Sequence, residues 1–226
     1  MPNMPTPQQL PNYISRLSPR QILIAVIATS AAMFLSTNRK ISTALLLPQY
    51  VLLPQLLSET LYQSALVTRF GTGLAICLIL YLTADHIQNA PLAPESEPGS
   101  DTRSGRGLPG EMGLAFRTLT LVLGAFVAQR LWRSYPLPPM PPELTLASYW
   151  LMIAGTLVAL ISLDPLRIGF GLLSFADGFV ALYLFWGPGF LVTALLNVVE
   201  VLLALGVVLF AEGGLRVSTT EGEMEE

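Results

Sequence analysis

Charge is scarce in this sequence. Only 12% of its 226 residues are Asp, Glu, Lys or Arg, about half the share of an average soluble chain. A single cysteine, Cys77, excludes an internal disulfide and any multi-cysteine metal site, and says nothing of redox compartment. A single histidine, His86, excludes a histidine pair of the kind zinc sites use. There is no CxxC, no phosphate-cradling glycine loop and no nucleophile motif, so neither a cofactor nor a metal is expected. No basic patch is present that would suit nucleic acid. The formal net charge of -3 owes much to the C-terminal "EGEMEE" and to the acidic end of a central loop.

Hydrophobic residues make up 52% of the chain, in long runs broken by short polar punctuation. That is the pattern of a chain whose solvent is lipid. A hydrocarbon core of about 30 Å needs about 20 apolar residues per helix, and several windows meet or approach that length. The prediction is an all-α, polytopic transmembrane helix bundle in the cell membrane, with the lipid bilayer as its first partner.

The runs divide the chain. Residues 1–19 are polar and proline-rich and read as a flexible tail. Residues 20–84 hold the amino-terminal membrane helices. The first apolar run, 22–35, resembles a signal-peptide core, but "SAAMFLSTNRK" offers no convincing cleavage site, so a retained helix is expected. The second, 41–59, contains Pro48 and Pro54. Proline kinks a helix and frees a carbonyl, so this stretch is either a kinked crossing or a re-entrant dip. The count is accordingly seven spans, or six. Residues 70–84 form a third helix, expected to begin a turn or two earlier.

Residues 85–112 are rich in Pro, Gly, Ser and charge and are expected to be a disordered extramembrane loop, with His86 interfacial at its start. Residues 113–145 comprise a fourth helix and a proline-rich linker. Arg117 and Arg130, near the ends of that helix, are expected to snorkel to the headgroups. The "GTG" at 71–73 and "GFG" at 169–171 suit close helix packing. Residues 146–211 contain three apolar spans, 147–163, 168–186 and 190–211, and residues 212–226 form an acidic tail. The connections "DPLR" and "GPG" between those spans are short enough to force antiparallel neighbours.

Two acids stand inside that last unit. Asp177 lies ten residues before Gly187, and Glu200 eleven after Gly189. At about 1.5 Å per residue both are roughly 15 Å from the turn, near the midplane. Asn197 shares the face of Glu200, and Ser174 lies one turn from Asp177. No basic residue occurs between Arg167 and Arg216, so neither acid has a cation on its own hairpin. An intramembrane aspartate costs about 2.5–3.5 kcal/mol on insertion scales. Burial and a second carboxylate both penalise the charged form. Asp177 and Glu200 are therefore candidates for a proton or cation relay, with Asn197 and Ser174 as supporting polar groups. The plainer alternative is a pair of neutral acids hydrogen-bonded to neighbouring helices.

The stretch "FADGF" followed by "NVVEVLLALGVVL" resembles the family of small membrane subunits that includes the K subunit of respiratory complex I and the E subunit of membrane-bound hydrogenases. The hydrogenase-type subunit is the nearer in length and in its extra amino-terminal helices. Ala176 stands where the family has glutamate, Asp177 where it has asparagine, Gly178 matches, and Glu200 is the later helix's acid. The resemblance implies a membrane-arm subunit without redox chemistry of its own. Such a subunit packs beside larger antiporter-like membrane subunits and adds buried carboxylates to proton or cation translocation. A non-catalytic scaffold or assembly protein is the rival reading. A transporter of hydrophilic small molecules is disfavoured by the small polar inventory of the spans and the lack of an inverted repeat. With seven spans, Arg39, Lys40, Arg103, Arg106, Arg167 and Arg216 fall on one side, and Arg16, Arg20, Arg69, Arg130 and Arg133 on the other. Counting charges near helix ends places the 85–112 loop and the carboxyl terminus in the cytoplasm.

Overall fold

The computed structural model describes residues 18–36, 38–57, 63–89, 113–187 and 189–224, and those residues are helical with short connections. The expected tail over 1–19 and loop over 85–112 lie mostly outside them. Seven helices occur among the described residues: α1 Pro19–Leu35, α2 Arg39–Leu56, α3 Gln63–Asn89, α4 Leu114–Ser134, α5 Pro142–Ile161, α6 Pro165–Phe185 and α7 Phe190–Met224. Five stretches are long and apolar enough to cross a membrane: Leu66–Ile87, Leu114–Ser134, Pro142–Ile161, Pro165–Phe185 and Phe190–Gly213. These fit a multi-pass membrane protein.

Local chemistry sets the boundaries. The first helix opens at Pro19, whose missing N–H is no loss at a first turn, and the Ser18 N–H donates back to Gln21 Oε1 at 3.0 Å. At the start of α2, Asn38 Oδ1 accepts the Lys40 N–H at 3.0 Å. Pro165, following Asp164, opens α6 in the same way as Pro19. Pro48 and Pro54 both lie within a single continuous α2. The third helix is longer than its apolar run at both ends. It begins at Gln63 and carries Asp85 and His86 in its last turns, so the first residues assigned to the loop are helical. The last helix continues to Met224, past the end of the apolar run at Ala211.

Among the described residues, α5 and α6 approach backbone to backbone. A Cβ at Gly171 would stand 2.6 Å from both Gly155 O and Ala159 N, and one at Gly155 would stand 2.5 Å from Gly171 O. Only glycine lets two helix backbones approach so nearly. Gly169 rests on Val207 of α7, and a Cβ at Gly73 would meet Tyr50 of α2 at 2.6 Å, whereas Gly71 has open space around it. The packing role expected of these glycines thus holds for three of the four.

Around the α5–α6 pair, α1 packs on α5 and α2 on α6, while α4 lies outside against α5. The last helix lies against α6 on one side and α3 on the other. An ion pair from Lys40 Nζ to Asp85 Oδ1, 2.6 Å long, joins the start of α2 to the end of α3. Arg130 is exposed as expected. Arg117 is not: it is buried in a small cleft with Met33, Phe34, Val158 and Arg167. The reason is its position on the inward face of α4, with Leu121, Gly124 and Ala128, where the neighbouring helices cover it.

A buried arginine between two carboxylates

Three helices converge on one guanidinium. Arg69, on α3, is 2% exposed; Asp177 on α6 and Glu200 on α7 are each 1% exposed. Arg69 Nη1 donates to Glu200 Oε1 and Oε2 at 3.1 and 3.0 Å, and to Asn197 Oδ1 at 3.3 Å. Its Nη2 donates to Glu200 Oε1 at 3.1 Å and to Asp177 Oδ1. A planar guanidinium offers its donors in a fixed fork, which lets it serve groups on two helices at once.

Of the four residues singled out from sequence, three meet here: Asp177, Glu200 and Asn197. Ser174 does not. Its hydroxyl donates to Gln49 Oε1 on α2, at 2.8 Å, instead of supporting either acid. Asn197 presents its oxygen to Arg69, so it assists the cation and not a neutral carboxyl.

The acids indeed have no cation on their own hairpin; theirs comes from another helix, and Arg69, expected among the charges flanking a helix end, is corrected to a buried partner of both. Arg69 lies within the apolar stretch Leu66–Ile87, and its buried side chain turns inward to the acids. Two signals pointed to it. The run 70–84 is too short to cross a bilayer unaided, so its helix had to begin earlier and take Arg69 in. Two matched acids with no cation on their own hairpin also called for one from another part of the chain.

The electrostatics follow from counting. One guanidinium and two carboxylates, all ionised, leave a surplus of one negative charge. A surplus charge out of water is costly, whereas a neutral group of three is tolerable if its hydrogen bonds are made. The cluster becomes neutral when one carboxyl holds a proton or when a monovalent cation joins it. Asp177 Oδ2 is buried and has no hydrogen-bond partner among the described residues, so it is an atom at which that positive charge can reside. Gln49 Nε2, Tyr50 Oη and Asn197 Nδ2 are unpartnered in the same sense. Tyr50 stands against Gly73, one turn along α3 from Arg69.

No protein-family model matches this chain, and neither a curated protein nor a solved structure matches it significantly.

Proposed function

We propose that this chain is a membrane-arm subunit whose Arg69–Asp177–Glu200 cluster exchanges a proton, or binds a monovalent cation, as one step of ion translocation. The single observation carrying this reading is the surplus acid: two buried carboxylates around one buried guanidinium. Ionisable groups inside a membrane are costly, and they recur along substrate and ion paths and in proton relays. The family resemblance of "FADGF" and "NVVEVLLALGVVL" to complex I and hydrogenase membrane subunits points the same way, with larger antiporter-like subunits as partners. Glu200 and Asp177 carry the exchange in this reading. Arg69 holds them, and Asn197 supports Arg69. Seven crossings, with the carboxyl terminus and the 85–112 loop in the cytoplasm of a cell-membrane protein, complete it.

A second reading has its own observation. Arg69 ties α3 to α6 and α7, which makes the cluster a clasp between distant parts of the chain. A scaffold would need no more than that.

Infrared difference spectra of the protein in lipid, compared in H2O and D2O, test for the neutral acid, and ion flux then separates the two readings. The relay reading expects a neutral carboxylic acid C=O band that shifts on deuteration and is lost in Asp177→Asn or in Glu200→Gln. Reconstitution with the subunits that co-purify from native membranes should then show ion flux in the wild type and its loss in both variants. A scaffold keeps its flux in both, and that result would overturn the proposal.

A further inference from the structure

The inward face of α7 is polar on one side of the cluster and apolar on the other. Towards the turn at 187–189 it carries Thr193 and Asn197, both buried. Beyond Glu200 the same face continues with Ala204, Val207 and Ala211, which are also buried. Thr193, Asn197 and Glu200 are spaced by four and three residues, so they form one stripe, about 10 Å long, leading from near the helix start to the cluster.

The hydroxyl of Thr193, like those of Ser42 and Ser148, is buried without a hydrogen-bond partner among the described residues. Buried in a helix, a threonine usually satisfies its hydroxyl on the carbonyl one turn back. Thr29, Thr72, Thr83 and Thr145, all buried or half-buried, do so at 2.9–3.1 Å. Thr193 Oγ1 makes no such bond and has no partner among the described residues, although the residue is 2% exposed. Gly189 O, the carbonyl it would use, already accepts the N–H groups of Val192 and Thr193. One turn deeper, Asn197 Nδ2 is likewise unpartnered, and so is Asp177 Oδ2 in the cluster. Buried polar atoms left without protein partners are satisfied by ordered water, and each such water needs two to four polar neighbours. A row of such atoms at one-turn intervals supplies them.

We infer that the Thr193–Asn197 face of α7 is a water-lined half-path, carrying protons or a monovalent cation between the membrane surface at the 187–189 turn and the Asp177–Glu200 pair. On α7 the path is one-sided, because the buried face of that helix from Ala204 through Val207 to Ala211 is apolar. This inference rests on the exchange reading above for its cargo, but the presence of water on that face does not depend on it.

Thiol labelling in a Cys77→Ala background tests the water directly. Thr193→Cys, Ser42→Cys and Ala204→Cys are each treated with a charged, membrane-impermeant methanethiosulfonate from either side of the membrane. Thr193→Cys should react faster than Ala204→Cys by on the order of tenfold or more, and only from the side bearing the 187–189 turn. Equal rates at these two positions, or faster reaction at Ser42→Cys, would overturn the path even if the carboxyl band is found. A second measurement keeps Thr193 testable should its cysteine variant misfold. Thr193→Val, which keeps the shape and removes the hydroxyl, should slow deuteration of the carboxyl band by on the order of tenfold without abolishing the band. Ser42→Ala should leave that rate unchanged, and a Thr193→Val rate equal to wild type would count against the path. Fast, sided labelling of Thr193→Cys in a protein without any carboxyl band would keep the water path and reject a proton as its cargo.

Discussion

Removing Arg69 should hurt this protein far more than removing either acid, and the size of the difference can be worked out. In Arg69→Gln both carboxylates lose their cation while remaining 1% exposed. Breaking a buried ion pair by deleting one partner costs about 3–5 kcal/mol, because the remaining charge is left uncompensated. The two acids can limit this by taking up protons, so the lower end of the range is expected. Glu200→Gln is different. It removes the surplus negative charge, keeps a side chain of the same shape, and leaves Arg69 paired with Asp177. Its cost should be about 1 kcal/mol or less, the net worth of an exchanged hydrogen bond. The gap of about 2 kcal/mol corresponds to roughly thirtyfold in the unfolding equilibrium. Titration of the protein in mixed micelles with a denaturing detergent, followed by helical circular dichroism, measures both variants on one scale. A triple variant, Arg69→Gln with Asp177→Asn and Glu200→Gln, has no charge to strand and should recover most of the loss seen in Arg69→Gln. Equal costs for Arg69→Gln and Glu200→Gln would refute the charge count on which the site has been argued.

Two further outcomes can be checked with less. Gly171→Ala should destabilise the same unfolding transition by about 1–3 kcal/mol, since the new methyl group meets backbone atoms of α5 that cannot move independently. Gly206→Ala, where nothing lies within 4 Å of the added Cβ, should instead stabilise it by about 0.5–1 kcal/mol through helix propensity; the opposite order would discredit the α5–α6 packing. Reporter fusions at Met1, Ser100 and Glu226 test the topology. Cytoplasmic signals from Ser100 and Glu226 with an external Met1 support seven spans, all three inside support six, and an external Glu226 would remove the proposed orientation.

Much of the architecture could be read from the chain because hydrophobic length is nearly decisive when lipid is the solvent. The runs that became α5, α6 and α7 were bounded by "DPLR" and "GPG"; the second falls between α6 and α7, whereas of the first only Asp164 precedes α6, which takes in Pro165, Leu166 and Arg167. Polar extensions were harder to see. Hydropathy ends α3 near Ala84, but the helix continues through Asp85 and His86, because Asp85 pairs with Lys40 at the end of the bundle. Matched depth identified Asp177 and Glu200 from counting alone, since both are positioned by the same short turn. Arg69 and Gln49 escaped that arithmetic. No short connection ties α2 or α3 to the last hairpin, so their register against it is set by side-chain packing such as Tyr50 on Gly73. Packing of that kind is not written in periodicity. Arg117 was misjudged for a related reason: a residue near a helix end snorkels only if its face of the helix is free, and here neighbouring helices cover it.

The choice between a clasp and a relay turns on which groups a clasp would require. Arg69 reaches α6 through Asp177, and that one carboxylate balances its charge. It reaches α7 through Asn197 Oδ1 at 3.3 Å, a tether that adds no charge at all. Those two partners already join three helices around a neutral pair. Glu200 adds two more acceptors on α7, three residues from Asn197, but it also adds a second buried negative charge. For stability alone that addition is unhelpful, since buried ion clusters can be replaced by apolar side chains at little or no loss. A glutamine at position 200 would hold α7 as well and leave nothing to neutralise. Glu200 is therefore the group that packing does not explain. The proposed exchange would account for it, because a site that takes up and releases a proton or small cation needs one more negative charge than its fixed cation can match.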